Sequence, residues 1–158
     1  MSSSRFDVFV LFVFSAGALG AALVAQYGFD LAPCHLCTLQ RMPYGFVLLL
    51  TLLVGPDPRQ RALRLSLAAL TFSVGAGLGF FHIGVEHHWW ESACSGAEAL
   101  SNNAGGLLAK LAKGGAEPAC DSVPFELFGV SLAGMNLILS TLLALYAAVA
   151  ARRAWRSA

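Results

Sequence analysis

The sequence predicts an all-α integral membrane protein, a bundle of four helices, and three observations predict it. Hydrophobic residues fill 57% of the 158 positions and charged residues only 12%, far from the balance of an ordinary soluble domain. Four apolar stretches approach the roughly 20 residues needed to cross about 30 Å of hydrocarbon. Basic residues gather in alternate connections, as they do where one side of a membrane retains them. A net charge of +1 gives no broad field that would attract nucleic acid. The chain contains no basic nucleic-acid patch, phosphate-binding glycine loop or internal repeat.

Read as a single membrane domain over 1–158, the chain has spans at about 8–25, 39–54, 65–85 and 130–151. In the first, Arg5 precedes an apolar run that ends in small residues around Ala18 to Ala22. That layout also suits a cleaved signal, but Asp7 at the head of the run is unusual for one. The second has only Met42 to Val54 free of charge, about 20 Å of helix at about 1.5 Å per residue. Its missing turn comes from Thr38 to Arg41, which places Arg41 at or just inside the membrane boundary. An arginine at that depth needs a partner. Gly55-Pro56-Asp57-Pro58 is a tight turn into the third span. That span closes on Glu86-His87-His88-Trp89-Trp90, where the tryptophans read as headgroup anchors.

Sorting the basic residues fixes an orientation. Arg5, Arg59, Arg61, Arg64, Arg152, Arg153 and Arg156 fall on one side, and only Arg41, Lys110 and Lys113 on the other. Both termini are then cytoplasmic, with outer loops at about 26–38 and 86–129. The same topology puts Cys34, Cys37, Cys94 and Cys120 in the outer loops. The outer face of a bacterial inner membrane is oxidising, so disulfides persist there. In the second loop Leu100, Leu107, Leu108 and Leu111 recur at helical spacing beside Lys110 and Lys113. A short interfacial helix fits the pattern, and so does a flexible loop with incidental leucines, because Gly105-Gly106 interrupts it.

The chemistry lies in the cysteines. Cys34-x-x-Cys37 can close a small disulfide ring, and a helix start just after the pair would stabilise a thiolate through its dipole. Thiol–disulfide exchange is the leading reading. A metal site with His35, His87 and His88, or a structural disulfide, are the alternatives. Covalent haem needs a histidine directly after the second cysteine, where Thr38 stands. Cys94 and Cys120 are either a staple worth about 3–4 kcal/mol or the second half of a relay that ends at a membrane-soluble electron acceptor. Arg41 could stabilise a thiolate or a reduced oxygen, or simply snorkel to the interface. His87 could donate to an acceptor's carbonyl or hold no special duty.

In combination, four sets of residues carry a resemblance. They are Cys34-His35-Leu36-Cys37-Thr38-Leu39-Gln40-Arg41, Gly84-Val85-Glu86-His87, the pair Cys94 and Cys120, and Phe128-Gly129-Val130-Ser131-Leu132. The chain resembles the disulfide bond formation protein B (DsbB) family over nearly its whole length. The resemblance implies an inner-membrane thiol:quinone oxidoreductase. Such an enzyme reoxidises a DsbA-like periplasmic thiol oxidase and passes the electrons to ubiquinone or menaquinone in the bilayer. It also implies that the partner's thiolate attacks Cys94, that Cys120 then attacks Cys34, and that Cys37 is left as the thiolate that engages the quinone. Arg41 would bind the quinone and tune Cys37, with His87 as a second cofactor-binding residue, and no metal is expected on this reading. The segment Ser101 to Gly115 matches no family motif. The vitamin K epoxide reductase family offers an alternative enzyme, but there the Cys-x-x-Cys follows the loop pair instead of preceding it. A metal-binding or transport membrane protein is the non-enzymatic alternative.

Overall fold

The computed structural model describes residues 3–53, 57–90, 119–123 and 125–158, with side chains from Phe6 onward. Cys94, the leucine pattern at 100–111 and the Gly55-Pro56 half of the turn before the third span lie outside the described residues. Four helices form the bundle: α1 (Ser3–Gly28), α2 (His35–Leu52), α3 (Pro58–Glu86) and α4 (Leu132–Arg156). Three contain segments long and apolar enough to cross a membrane, namely Phe6–Gly28, Pro58–Glu86 and Leu132–Arg156. With 18 residues α2 is the short member, rising about 27 Å. The architecture is the all-α membrane bundle expected from composition.

Local chemistry sets the helix starts. At α3, Asp57 is the N-cap and accepts the Arg59 N–H at 3.0 Å, with Pro58 as the first helical residue. At α2 the helix begins at His35 instead of after the cysteine pair, because Cys34 itself is the cap. Its Sγ accepts the Cys37 N–H at 3.1 Å, so Cys37 already lies in the first turn. At α4 the Ser131 hydroxyl oxygen accepts the Gly134 N–H at 3.1 Å.

Packing relies on small residues, since lipid gives helices no hydrophobic reason to associate and close approach must supply the contact. α3 and α4 are the most extensively packed pair. Gly79 lies so close to α4 that a Cβ there would stand 3.0 Å from the Leu137 backbone nitrogen. On α4, Ala147, Ala150, Ala151 and Ala154 are all buried. Polar side chains tie the layers together inside the bundle. The Tyr44 hydroxyl of α2 donates to Asn136 Oδ1 at 2.8 Å, and Asn136 Nδ2 donates to the Gly75 carbonyl of α3 at 3.3 Å. α1 joins through Asp7, buried, which accepts from the Tyr146 hydroxyl at 2.8 Å and pairs with Arg153 at 3.4 Å. Outward-facing Phe9, Val13, Leu70, Val74, Leu142 and Leu145 are exposed, as a lipid-facing surface requires.

Just before α4, β1 (Glu126–Leu127) and β2 (Val130–Ser131) pair antiparallel. Their two-residue turn has Phe128 at φ 54° and Gly129 at φ 77°, and both positive angles match the twist of a tight hairpin. The Ser131 hydroxyl donates to Glu86 Oε2 at 2.6 Å. That bond fastens the hairpin to the end of α3 and fixes where the chain from Cys120 enters the bundle.

Candidate functional site

At the end of the bundle where α2 starts and α3 stops, Cys34, Leu36, Val85 and Cys120 form a buried cluster, with Cys37 and Trp90 packed against it. Cys34 is 5% exposed and Cys120 0%. Cys34 and Cys37 are free thiols, whereas Cys120 is disulfide-bonded. One cysteine of the α3–α4 connection is thus buried beside the Cys-x-x-Cys pair, although 83 positions separate it from Cys37.

The two thiols of the pair differ in acidity. Cys37 is lowered to about 7, first by the hydrogen bond from Cys34. The Arg41 charge pulls the same way, while burial and the Glu86 carboxylate oppose it. Cys34 moves up, because it donates to Cys37 and is buried. Cys37 is therefore the thiolate of the pair near neutrality, which suits a sulfur that gives up electrons or leaves during exchange. Since a depressed thiol pKa means thiolate above that value, alkylation of Cys37 should rise with pH through about 7 and level off above it, with Cys34 protected. Iodoacetamide labelling read by mass spectrometry from pH 5 to 10 checks this, and a midpoint near an ordinary thiol's would contradict it.

Arg41 stands one helical turn below Cys37 on α2. Its partner at this depth is α1: Nη1 donates to Gln26 Oε1 at 2.6 Å and Nη2 to the Ala22 carbonyl at 3.4 Å. His87, the second residue expected to bind a cofactor, is exposed at the C-cap of α3 and stacks on Trp89 at 5.6 Å between ring centroids. His35 is exposed as well. The histidine that does join the cysteines is His82, 3% exposed, which composition and motif had left unassigned. Among the described residues, Cys34, Cys37 and His82 offer ligand atoms within 4.8 Å of one another.

Hydrogen bonding commits both His82 nitrogens. Gln40 Nε2 lies 2.8 Å from His82 Nδ1 and donates also to the Leu78 carbonyl at 3.5 Å. His82 Nε2 lies 3.2 Å from the Cys120 carbonyl and 3.7 Å from Cys34 Sγ. Carbonyls stand at both ends of this chain and can only accept. Gln40 is then the donor to Nδ1, and Nε2 carries the ring proton toward Cys120 and Cys34. A neutral ring in that tautomer turns no lone pair toward the sulfurs, which argues against a metal held by the three.

Trp90 also has a tighter place than a headgroup anchor. Its Nε1–H donates to the Phe81 carbonyl at 3.0 Å, and the ring stacks on Phe81 at 5.4 Å. It lies across Gly84 so closely that any Cβ there would overlap the indole. The Gly84-Val85-Glu86-His87 sequence therefore holds the lid of the cysteine cluster. Trp89, 59% exposed, remains free to meet an interface.

The model of the disulfide bond formation protein DsbB family matches residues 4–150. The chain belongs to the DsbB family. A curated Disulfide bond formation protein B of Methylobacillus flagellatus is 28% identical over 163 aligned residues, covering 94% of this chain and 93% of that protein. No solved structure matches. Family membership makes the chain a membrane protein of disulfide bond formation, with the chemistry of a disulfide-generating oxidoreductase.

Proposed function

We propose that the chain is a thiol:quinone oxidoreductase of the bacterial inner membrane, with both termini cytoplasmic and its cysteine end periplasmic, serving a DsbA-like dithiol oxidase. The observation that carries the reading is the burial of Cys120 against Cys34 and beside the low-pKa Cys37. In that arrangement a cysteine that would receive electrons from outside is packed in one buried cluster with a pair adjoining the bilayer. The partner's thiolate attacks Cys94, breaking the Cys94–Cys120 bond and forming a mixed disulfide. The released Cys120 thiolate attacks Cys34 of an oxidised Cys34–Cys37 pair, forming a Cys34–Cys120 bond and releasing Cys37 as thiolate. The partner's second thiol then displaces Cys94, whose thiolate recloses the Cys94–Cys120 bond and frees Cys34, so over a full turnover the partner's dithiol loses two electrons and two protons.

The residues around Cys37 suit a quinone as the acceptor. Cys37, Arg41 and Gly45 follow at four-residue steps down one face of α2, and among the described residues nothing beyond the adjoining turns of the helix lies within 4 Å of where a Gly45 side chain would begin. Arg41 uses part of its five-donor fork on Gln26 and Ala22, leaving donors for a carbonyl oxygen. A quinone bound there would take up the two electrons and two protons as Cys34 and Cys37 close again to a disulfide. Arg41 adds to the Cys34 hydrogen bond in favouring the Cys37 thiolate, and it would donate to the oxygen on which negative charge develops. The family resemblance gives His87 a part in the same site.

Protein purified in detergent without chelator tests this against the metal reading. Extraction should recover about one quinone per chain. Stoichiometric zinc or copper with no quinone would overturn the proposal.

A further inference from the structure

We propose that His82 is a positioning residue for the exchange between Cys34 and Cys120, working as a clamp whose tautomer is fixed by Gln40. The inference rests on the relay proposed above. His82 makes a hydrogen-bond contact at both cysteines: Nε2 lies 3.7 Å from Cys34 Sγ and 3.2 Å from the Cys120 carbonyl. The hydrogen-bond sequence from the Leu78 carbonyl through Gln40 to Nδ1 forces the proton onto Nε2. The N–H is thereby aimed at the two groups that must stay together.

Cys34 and Cys120 belong to different loops and share no backbone hydrogen bond among those described. Thiol–disulfide exchange requires the attacking sulfur to approach nearly in line with the bond that breaks, so small misplacements are costly. His82 is itself rigid, 3% exposed on α3 and fastened at both ring nitrogens. It therefore carries the geometry of the bundle to the Cys120 segment. The Cys34 contact completes the clamp, because the same N–H lies over the sulfur that is attacked.

The exchange can be followed without partner or quinone. In the full-length Cys37→Ser protein, the Cys34 thiolate attacks Cys120 of the loop disulfide, forming Cys34–Cys120 and releasing the Cys94 thiol. No external oxidant is consumed. Peptide mapping after acid quench gives the rate. His82→Leu in this background should slow the crosslink by about tenfold or more, while the alkylation rate of Cys34 in denaturant stays unchanged. His82→Gln, whose amide N–H can reach the Cys120 carbonyl, should recover most of the rate. Should His82→Leu lose its helical signal in detergent, Gln40→Leu takes its place. That variant keeps the imidazole but frees its tautomer, and a slower crosslink is again expected. An unchanged rate in a folded His82→Leu or Gln40→Leu protein overturns the clamp alone. Absence of any crosslink with His82 intact overturns the relay beneath it.

Discussion

A Cys37→Ser protein supplied with a reduced thioredoxin-like dithiol protein reduces no quinone, with turnover down by at least about a thousandfold. A serine oxygen cannot form the disulfide that closes as the pair gives up its electrons, and its hydroxyl stays protonated where the Cys37 thiol, lowered to about 7, does not. The loss is specific in kind. Cys34 and Cys120 remain buried together, so the variant should still take one partner dithiol into disulfide exchange and stall. Stopped-flow absorbance of the quinone, alongside thiol counting, separates this from a misfolded protein. Turnover within tenfold of wild type would show that another sulfur carries the electrons.

Arg41→Met is expected to lower quinone reduction about a hundredfold, the scale of losing one preorganised donor to a developing oxyanion. It should also shift the alkylation midpoint of Cys37 upward, since removing a cation that favours the thiolate makes that thiolate harder to form. Arg41→Lys divides the two effects. It keeps the charge, so the midpoint stays close to about 7. It loses the planar fork that serves Gln26, Ala22 and a carbonyl at once, so most of the quinone reduction is lost. Alkylation and turnover measured on one preparation check both. Equal behaviour of the methionine and lysine proteins would mean that Arg41 serves only to fasten α1 to α2.

Much of this was legible in the residues because the bilayer imposes it. Span length, the short second helix and the need of Arg41 for a partner follow from the cost of unsatisfied polar groups in hydrocarbon. The partners proved to be Gln26 and Ala22 on α1. The cysteine pair at a helix start could also be read directly, although the cap is Cys34 itself and the helix begins one residue later. Other features depend on tertiary contacts that no spacing announces. His82 sits among Phe80, Phe81 and Ile83 and looks like any core position of an apolar helix. Its meaning appears only when Gln40, 42 positions away, and Cys120, 38 positions away, close on its two nitrogens. Trp90 reads as an anchor by composition, and only the missing Cβ of Gly84 makes room for its ring over the cysteines. The available signal was that bare glycine beside an aromatic pair, and it was weak.

The most direct measurement mixes quinone-loaded protein with one equivalent of a reduced thioredoxin-like protein and follows quinone absorbance and partner thiols together. The relay predicts one quinone reduced for each partner dithiol oxidised, with both signals abolished by Cys120→Ser. Dithiol oxidation with no change in the quinone, or quinone reduction that survives loss of Cys120, would contradict it.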